Sequence, residues 1–139
     1  EAQPVVQIKI EGTLDLGRLF YAFEHIRSGA DYVCPAPIDE ALRQQLETLA
    51  LRTYAVVECL DFGRVDFRVD RQGTPYVLEI NPLPSLSTED VFMFIAKAQG
   101  LTYEQIVTRV VDAALIRNGL QRKEEASSPS AIRSHSRTT

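Results

Sequence analysis

Gly63-Arg64-Val65-Asp66-Phe67-Arg68-Val69-Asp70-Arg71-Gln72-Gly73-Thr74-Pro75-Tyr76-Val77-Leu78-Glu79-Ile80-Asn81 is the stretch on which the fold turns. Apolar and polar residues alternate on both sides of Arg71-Gln72-Gly73, the pattern of two strands joined by a tight turn. On the first strand Val65, Phe67 and Val69 share one face, with Arg64, Asp66 and Arg68 on the other. On the return strand the same rule groups Val77, Glu79 and Asn81, with Tyr76, Leu78 and Ile80 opposite. A turn centred between Gln72 and Gly73 sets Asp66 across from Glu79 and Arg64 across from Asn81, all four on one side of the ladder.

Two carboxylates directly opposed across a ladder repel each other. The repulsion is relieved by Arg64 or Arg68, by a proton shared between the acids, or by a divalent cation. Oxygen donors from Asp, Glu and Asn suit Mg²⁺ rather than Zn²⁺, and Mg²⁺ takes few protein carboxylates, filling its shell with water and phosphate oxygens. From spacing alone, two readings stand open: a solvated sheet face with cross-strand ion pairs, or half of a Mg-nucleotide site. The loop Pro82-Leu83-Pro84-Ser85-Leu86-Ser87 favours the second. Its paired prolines stiffen the backbone, and it sets amides and hydroxyls of the kind that hold oxyanions just beyond the carboxylates.

Upstream, Val5 to Ile10 alternates as a strand, and Tyr32-Val33-Cys34 is a short strand that Pro35 stops. Leu14 to Gly29 has no clean period. Asp39 is a good N-cap, and Leu42, Leu46, Leu49, Thr53, Val56, Val57 and Leu60 recur at helical spacing as one buried face. Downstream, one helix is predicted from about Thr88 to Gln99, ending at Gly100. A second starts at Thr102, with Gln105 completing a capping box, and stops at Asn118-Gly119. Phe92, Phe94 and Ile95 belong to the core. From Gln121 to Thr139 the apolar period is lost and Ser, Arg and Thr dominate, so residues 121–139 are expected to form a disordered tail behind a domain of residues 1–120.

The 139 residues are one domain's length, and 45% hydrophobic with 24% charged residues is ordinary for a globular chain. With Lys+Arg 15 against Asp+Glu 19, for a net charge of −4, the chain has no basic excess to favour nucleic acid. No apolar run approaches the roughly 20 residues of a membrane span. Cys34 and Cys59 read as core thiols, and His25 and His135 lack ligand spacing. A strand pattern that begins almost at Glu1, without a signal peptide, suggests a cytoplasmic segment of a longer chain.

The run Gly63 to Arg68, followed by Tyr76-Val77-Leu78-Glu79-Ile80-Asn81-Pro82-Leu83-Pro84-Ser85-Leu86-Ser87, resembles the carboxy-terminal signature of the ATP-grasp enzymes, most closely that of the D-alanine–D-alanine ligases. Tyr32 to Ala36, the helix after it and the closing helix pair share the likeness, which covers roughly Val5 to Leu120. The resemblance implies an α+β fold: a carboxy-terminal ATP-grasp subdomain, mainly antiparallel sheet with helices packed on one side. It implies that ATP activates one D-alanine as an acyl-phosphate and a second D-alanine attacks it, in peptidoglycan precursor synthesis. It implies two Mg²⁺ ions, with Mn²⁺ as a substitute, and no nucleic-acid or membrane partner. Ligases of this type are commonly homodimers.

Matched position by position, the family pattern makes Asp66, Glu79 and Asn81 the metal ligands, with Glu79 bridging two ions. Arg64 becomes the residue that neutralises the reacting oxygens. Leu78 and Phe20 become contacts to the nucleotide, and Ser85 stands where the family has a glycine whose amide completes an oxyanion hole. Glu24 matches the family's glutamate in the Phe20 segment. The Lys and Tyr that follow it in the family are replaced at about Ile26 and Arg27. That departure keeps a second reading, ligation to another amino acid or to a hydroxy acid, and a third, a non-catalytic Mg-nucleotide-binding remnant.

Overall fold

The computed structural model describes residues 1–18 and 31–120. The expectations for Phe20, Glu24, His25, Ile26, Arg27, His135 and the tail lie outside the described residues.

Among the described residues, four strands pair in two antiparallel ribbons. β1 (Gln7–Lys9) pairs with β2 (Asp31–Val33), placing Ile8 against Tyr32, and Lys9 reaches Asp31 at 3.6 Å. β1 is shorter than its alternation from Val5 to Ile10 suggested, and β2 keeps the expected three residues but starts one residue before Tyr32. The Ala36 amide donates to the Val5 carbonyl (2.8 Å), so the two segments stay together beyond the ladder. The second ribbon is the hairpin, β3 (Arg64–Val69) with β4 (Pro75–Asn81). Among the described residues the expected antiparallel sheet is present as two two-stranded pieces.

The helices start and stop where side chains satisfy their orphan backbone groups. α1 (Glu40–Val56) is capped by the Asp39 carboxylate, which accepts from the Leu42 amide at 2.8 Å. α2 (Val91–Ala98) begins three residues later than the spacing predicted, because the Asp90 amide donates to the Ser87 carbonyl and holds residues 87–90 in a turn before Asp90 caps the helix. It closes with Gly100 at φ +67 and the Leu101 amide on the Ala96 carbonyl. α3 (Tyr103–Arg117) carries the expected Thr102–Gln105 capping box and closes the same way, with Gly119 at φ +66 and the Leu120 amide on the Leu115 carbonyl.

The face predicted to run from Leu42 to Leu60 needs correction. Leu46 is buried, but α1 ends at Val56, and Val56, Val57 and Leu60 are exposed. The backbone takes positive φ at Glu58 (52°) and Asp61 (61°), which turns the chain off the helix axis while the apolar spacing continues.

Val91, Phe92, Ile95 and Ala96 of α2 form the core with Ile106 of α3. Tyr32 from β2, Phe62 from the approach to β3 and Leu86 from the loop after β4 pack on it. Phe62 meets Phe92 edge-on at 5.9 Å between centroids, and Phe94, half-buried, lies 5.1 Å from Tyr32. Burying each such side chain is worth about 1.5–3 kcal/mol, so α2 ties both ends of the hairpin to the first ribbon.

Candidate functional site

The hairpin register is where the site is made. At the turn, the Asp70 amide donates to the Thr74 carbonyl (3.0 Å) and the Gly73 amide to the Asp70 carbonyl (3.1 Å), with Gly73 at φ +83. The Asp70 carboxylate also accepts from the amides of Gln72 and Thr74, at 2.9 and 2.8 Å. This centres the turn on Gln72, and the first pairs are Val69 with Pro75, Arg68 with Tyr76 and Phe67 with Val77.

Continued without a break, that ladder would set Asp66 opposite Leu78 and turn Glu79 to the far face. A bulge prevents it. The register shifts between Asp66 and Phe67, Leu78 has no partner, and Asp66 pairs with Glu79, Val65 with Ile80 and Arg64 with Asn81. The four site residues therefore share one face, as their alternation suggested, by a route it did not suggest. The same bulge corrects two face assignments. Val77 lies with Phe67 rather than with Glu79, and Tyr76 lies with Asp66 and Arg68 rather than with Ile80.

On that face Arg64 forks onto Asp66, Nε to Oδ1 at 2.7 Å and Nη2 to Oδ2 at 2.9 Å, both side chains about 30% exposed. Arg64 is thus the first compensation for the opposed acids, and it engages both oxygens of the predicted metal ligand. Glu79 is exposed and Asn81 half-buried. The Asn81 Oδ1 accepts from the Leu83 amide at 3.0 Å, which bends the chain into the proline loop. Pro84 is buried and anchors that loop. Ser85 stands exposed beyond it, its hydroxyl accepting from the Ser87 amide at 3.1 Å. Leu78, on the bulge beside Glu79, is 64% exposed.

Among the described residues no three of His, Cys, Asp and Glu gather into a metal-binding group. The donor set here is two acids and one amide, all oxygen, which fits a hard cation that keeps water and phosphate in its shell and does not fit a zinc site. No helix among the described residues is long and apolar enough to cross a membrane.

Two features were missed by the sequence reading. Arg117 at the end of α3 forks onto Asp61, both bonds 2.9 Å, clamping that helix to the segment entering β3. The guanidinium holds the Asp61 carboxyl below its ordinary value. The partners lie 56 residues apart, and nothing local signals the pair. The other is a contact beneath Gly63, where the edge of Tyr54 and the thiol of Cys59 close on the hairpin.

A family model described as "D-ala D-ala ligase C-terminus" matches residues 1–112. The chain belongs to that family. A D-alanine–D-alanine ligase from Nitrosospira multiformis is 32% identical over 113 residues, covering 81% of this chain and 36% of the relative. The crystal structure of a D-alanine–D-alanine ligase from Bacillus anthracis superposes with a TM-score of 0.64 at 21% identity, over 84% of this chain and 37% of the other. A structure of the ligase from the same organism complexed with ATP gives 0.57 at 24% identity, over 64% of this chain and 31% of the other. These likenesses establish the fold as that of the carboxy-terminal portion of the ATP-grasp D-alanine–D-alanine ligases. The chain spans about a third of the length of the curated relatives it matches.

Proposed function

We propose that this chain is the carboxy-terminal, phosphate-handling portion of a cytoplasmic ATP-dependent ligase that joins two D-alanines for peptidoglycan synthesis. The observation that carries the proposal is the bulge at Leu78, which brings Asp66 and Glu79 together, beside Arg64 and Asn81, on one face of the hairpin. Family membership and relatives named as D-alanine–D-alanine ligases support the reaction class. The ATP-complexed relative supports the nucleotide.

Asp66, Glu79 and Asn81 would hold Mg²⁺, which when bound neutralises phosphate charge. Leu78 offers an exposed apolar surface to the adenine. In the reaction the carboxylate of one D-alanine attacks the γ-phosphorus, the bond to ADP breaks, and an acyl-phosphate forms. The amine of the second D-alanine attacks the carbonyl carbon, and the tetrahedral intermediate expels phosphate as the peptide bond forms. Arg64 supplies a planar cation to the oxygens that gain charge, and Ser85 supplies a backbone amide to the same oxyanion. The protein's work is positioning and charge neutralisation, without a covalent enzyme intermediate.

The test is chromatographic identification of the product made by the full-length protein from ATP with D-alanine, with other amino acids and with hydroxy acids. D-alanyl-D-alanine as the main product is the expected result. Turnover only with another acceptor would correct the substrate, and no ATP-dependent product with any of them would refute the ligase reading.

A further inference from the structure

Gly63 differs from the other described glycines. Gly12, Gly17, Gly73, Gly100 and Gly119 take positive φ with nothing within 4 Å of where a Cβ would stand. Gly63 does not take positive φ, so backbone freedom does not explain it. A methyl at Gly63 would lie 3.0 Å from Tyr54 Cε2, 3.2 Å from the Asn81 carbonyl oxygen and 3.2 Å from the Cys59 sulfur. Carbon atoms in contact normally stand about 3.5–4.0 Å apart. Gly63 faces α1, and by alternation Val65 and Phe67 share that side, which leaves Arg64 and Asp66 on the side away from the helix. Tyr54 presses a ring edge here, with its hydroxyl buried.

We infer that Gly63 is a positioning residue for the candidate cation site: its missing side chain lets the hairpin close on Tyr54 and Cys59, which fixes the Asn81 backbone and the adjoining Arg64. The inference rests on the reading of Asp66, Glu79 and Asn81 as cation ligands. Any side chain at Gly63 pushes three ways at once. Tyr54 is held in a helix and Cys59 in the turn that follows it, while Asn81 ends β4 at the start of a loop. The Asn81 contact is a backbone carbonyl and not a side-chain tip, so any shift it makes is carried into the end of β4.

The experiment is Mn²⁺ binding to the full-length protein with a non-hydrolysable ATP analogue, read from the free-ion EPR signal, together with the apparent KM for Mg²⁺ against kcat in phosphate release. Gly63→Ala is expected to weaken Mn²⁺ binding about tenfold, the low end of what changes behind a metal ligand produce. The KM for Mg²⁺ should rise by the same factor. Adding Tyr54→Leu, which removes the ring edge, should restore most of the affinity, because the strand then moves toward α1 instead of pressing on Asn81. Binding within twofold of the parent in folded Gly63→Ala would overturn the inference, as would a loss that Tyr54→Leu fails to recover. If Gly63→Ala does not fold, the double variant decides: near-parental affinity supports the inference and a tenfold loss overturns it. Glu79→Gln separates the two claims. If it leaves Mn²⁺ binding unchanged, the cation-site reading fails and this inference with it. If it abolishes binding while Gly63→Ala does not weaken it, only the role of Gly63 is lost.

Discussion

Arg64 and a cation compete for the same carboxylate, so replacing Arg64 should move binding and turnover in opposite directions. The guanidinium engages both oxygens of Asp66, at 2.7 and 2.9 Å, with the two side chains 28% and 31% exposed. A hydrogen bond to a charged group contributes about 1.5–3 kcal/mol when well shielded, whereas exposed ion pairs give roughly 0.2–1 kcal/mol. At this exposure a value of about 1 kcal/mol is reasonable, which is roughly a fivefold change in an equilibrium constant. Arg64→Ala in the full-length protein should therefore bind Mn²⁺ about fivefold more tightly, because Asp66 no longer has to exchange one cation for another. Phosphate release should fall by about 10²–10³, the usual effect of removing one well-placed electrostatic group. Arg64→Lys should not restore turnover, since a point charge cannot reproduce the planar fork. Titration by EPR alongside a coupled phosphate assay reads both quantities. Weaker Mn²⁺ binding in Arg64→Ala, or turnover within threefold of the parent, would refute the reasoning.

Phe92→Ala empties the centre of the core, where Phe62 packs against the ring, and should cost about 3–5 kcal/mol, seen as a lower urea midpoint for the 139-residue chain; a shift under about 1 kcal/mol would mean that the core lies elsewhere. The Asp61–Arg117 clamp should make stability acid-sensitive. Arg117 lowers the Asp61 pKa from its ordinary 3.8, so this contribution is present above pH 3.8 and is lost as pH falls through the depressed value. Asp61→Asn should remove that part of the acid dependence of thermal unfolding; an unchanged pH profile would count against the clamp.

The hairpin was legible because alternation around Arg71-Gln72-Gly73 is a local signal, and so were the helix ends, where Asp39, Thr102 with Gln105, Gly100 and Gly119 act within one turn of themselves. The bulge was not. One unpaired residue at Leu78 leaves no mark on composition, and the expected Asp66–Glu79 pairing came from a turn placed half a residue off, an error the bulge cancels. The end of α1 was misjudged because apolar spacing continues to Leu60 after the backbone has turned at Glu58. The packing of Tyr54 on Gly63 and the reach of Arg117 to Asp61 depend on tertiary placement, which no local pattern encodes. Of the residues assigned to the site, Arg64, Asp66, Glu79 and Asn81 are brought together by the register. Leu78 and Ser85 flank them on the bulge and the loop.

The most direct test of the account is ATP- and D-alanine-dependent phosphate release by the full-length protein at saturating Mg²⁺, compared with its Glu79→Gln variant. The substitution keeps the shape of the side chain and removes the charge that faces Asp66 across the ladder. If that charge holds cations against the nucleotide phosphates, the rate should fall by more than about 10³, beyond the loss of a single hydrogen-bond donor. Near-parental turnover in Glu79→Gln would contradict the account.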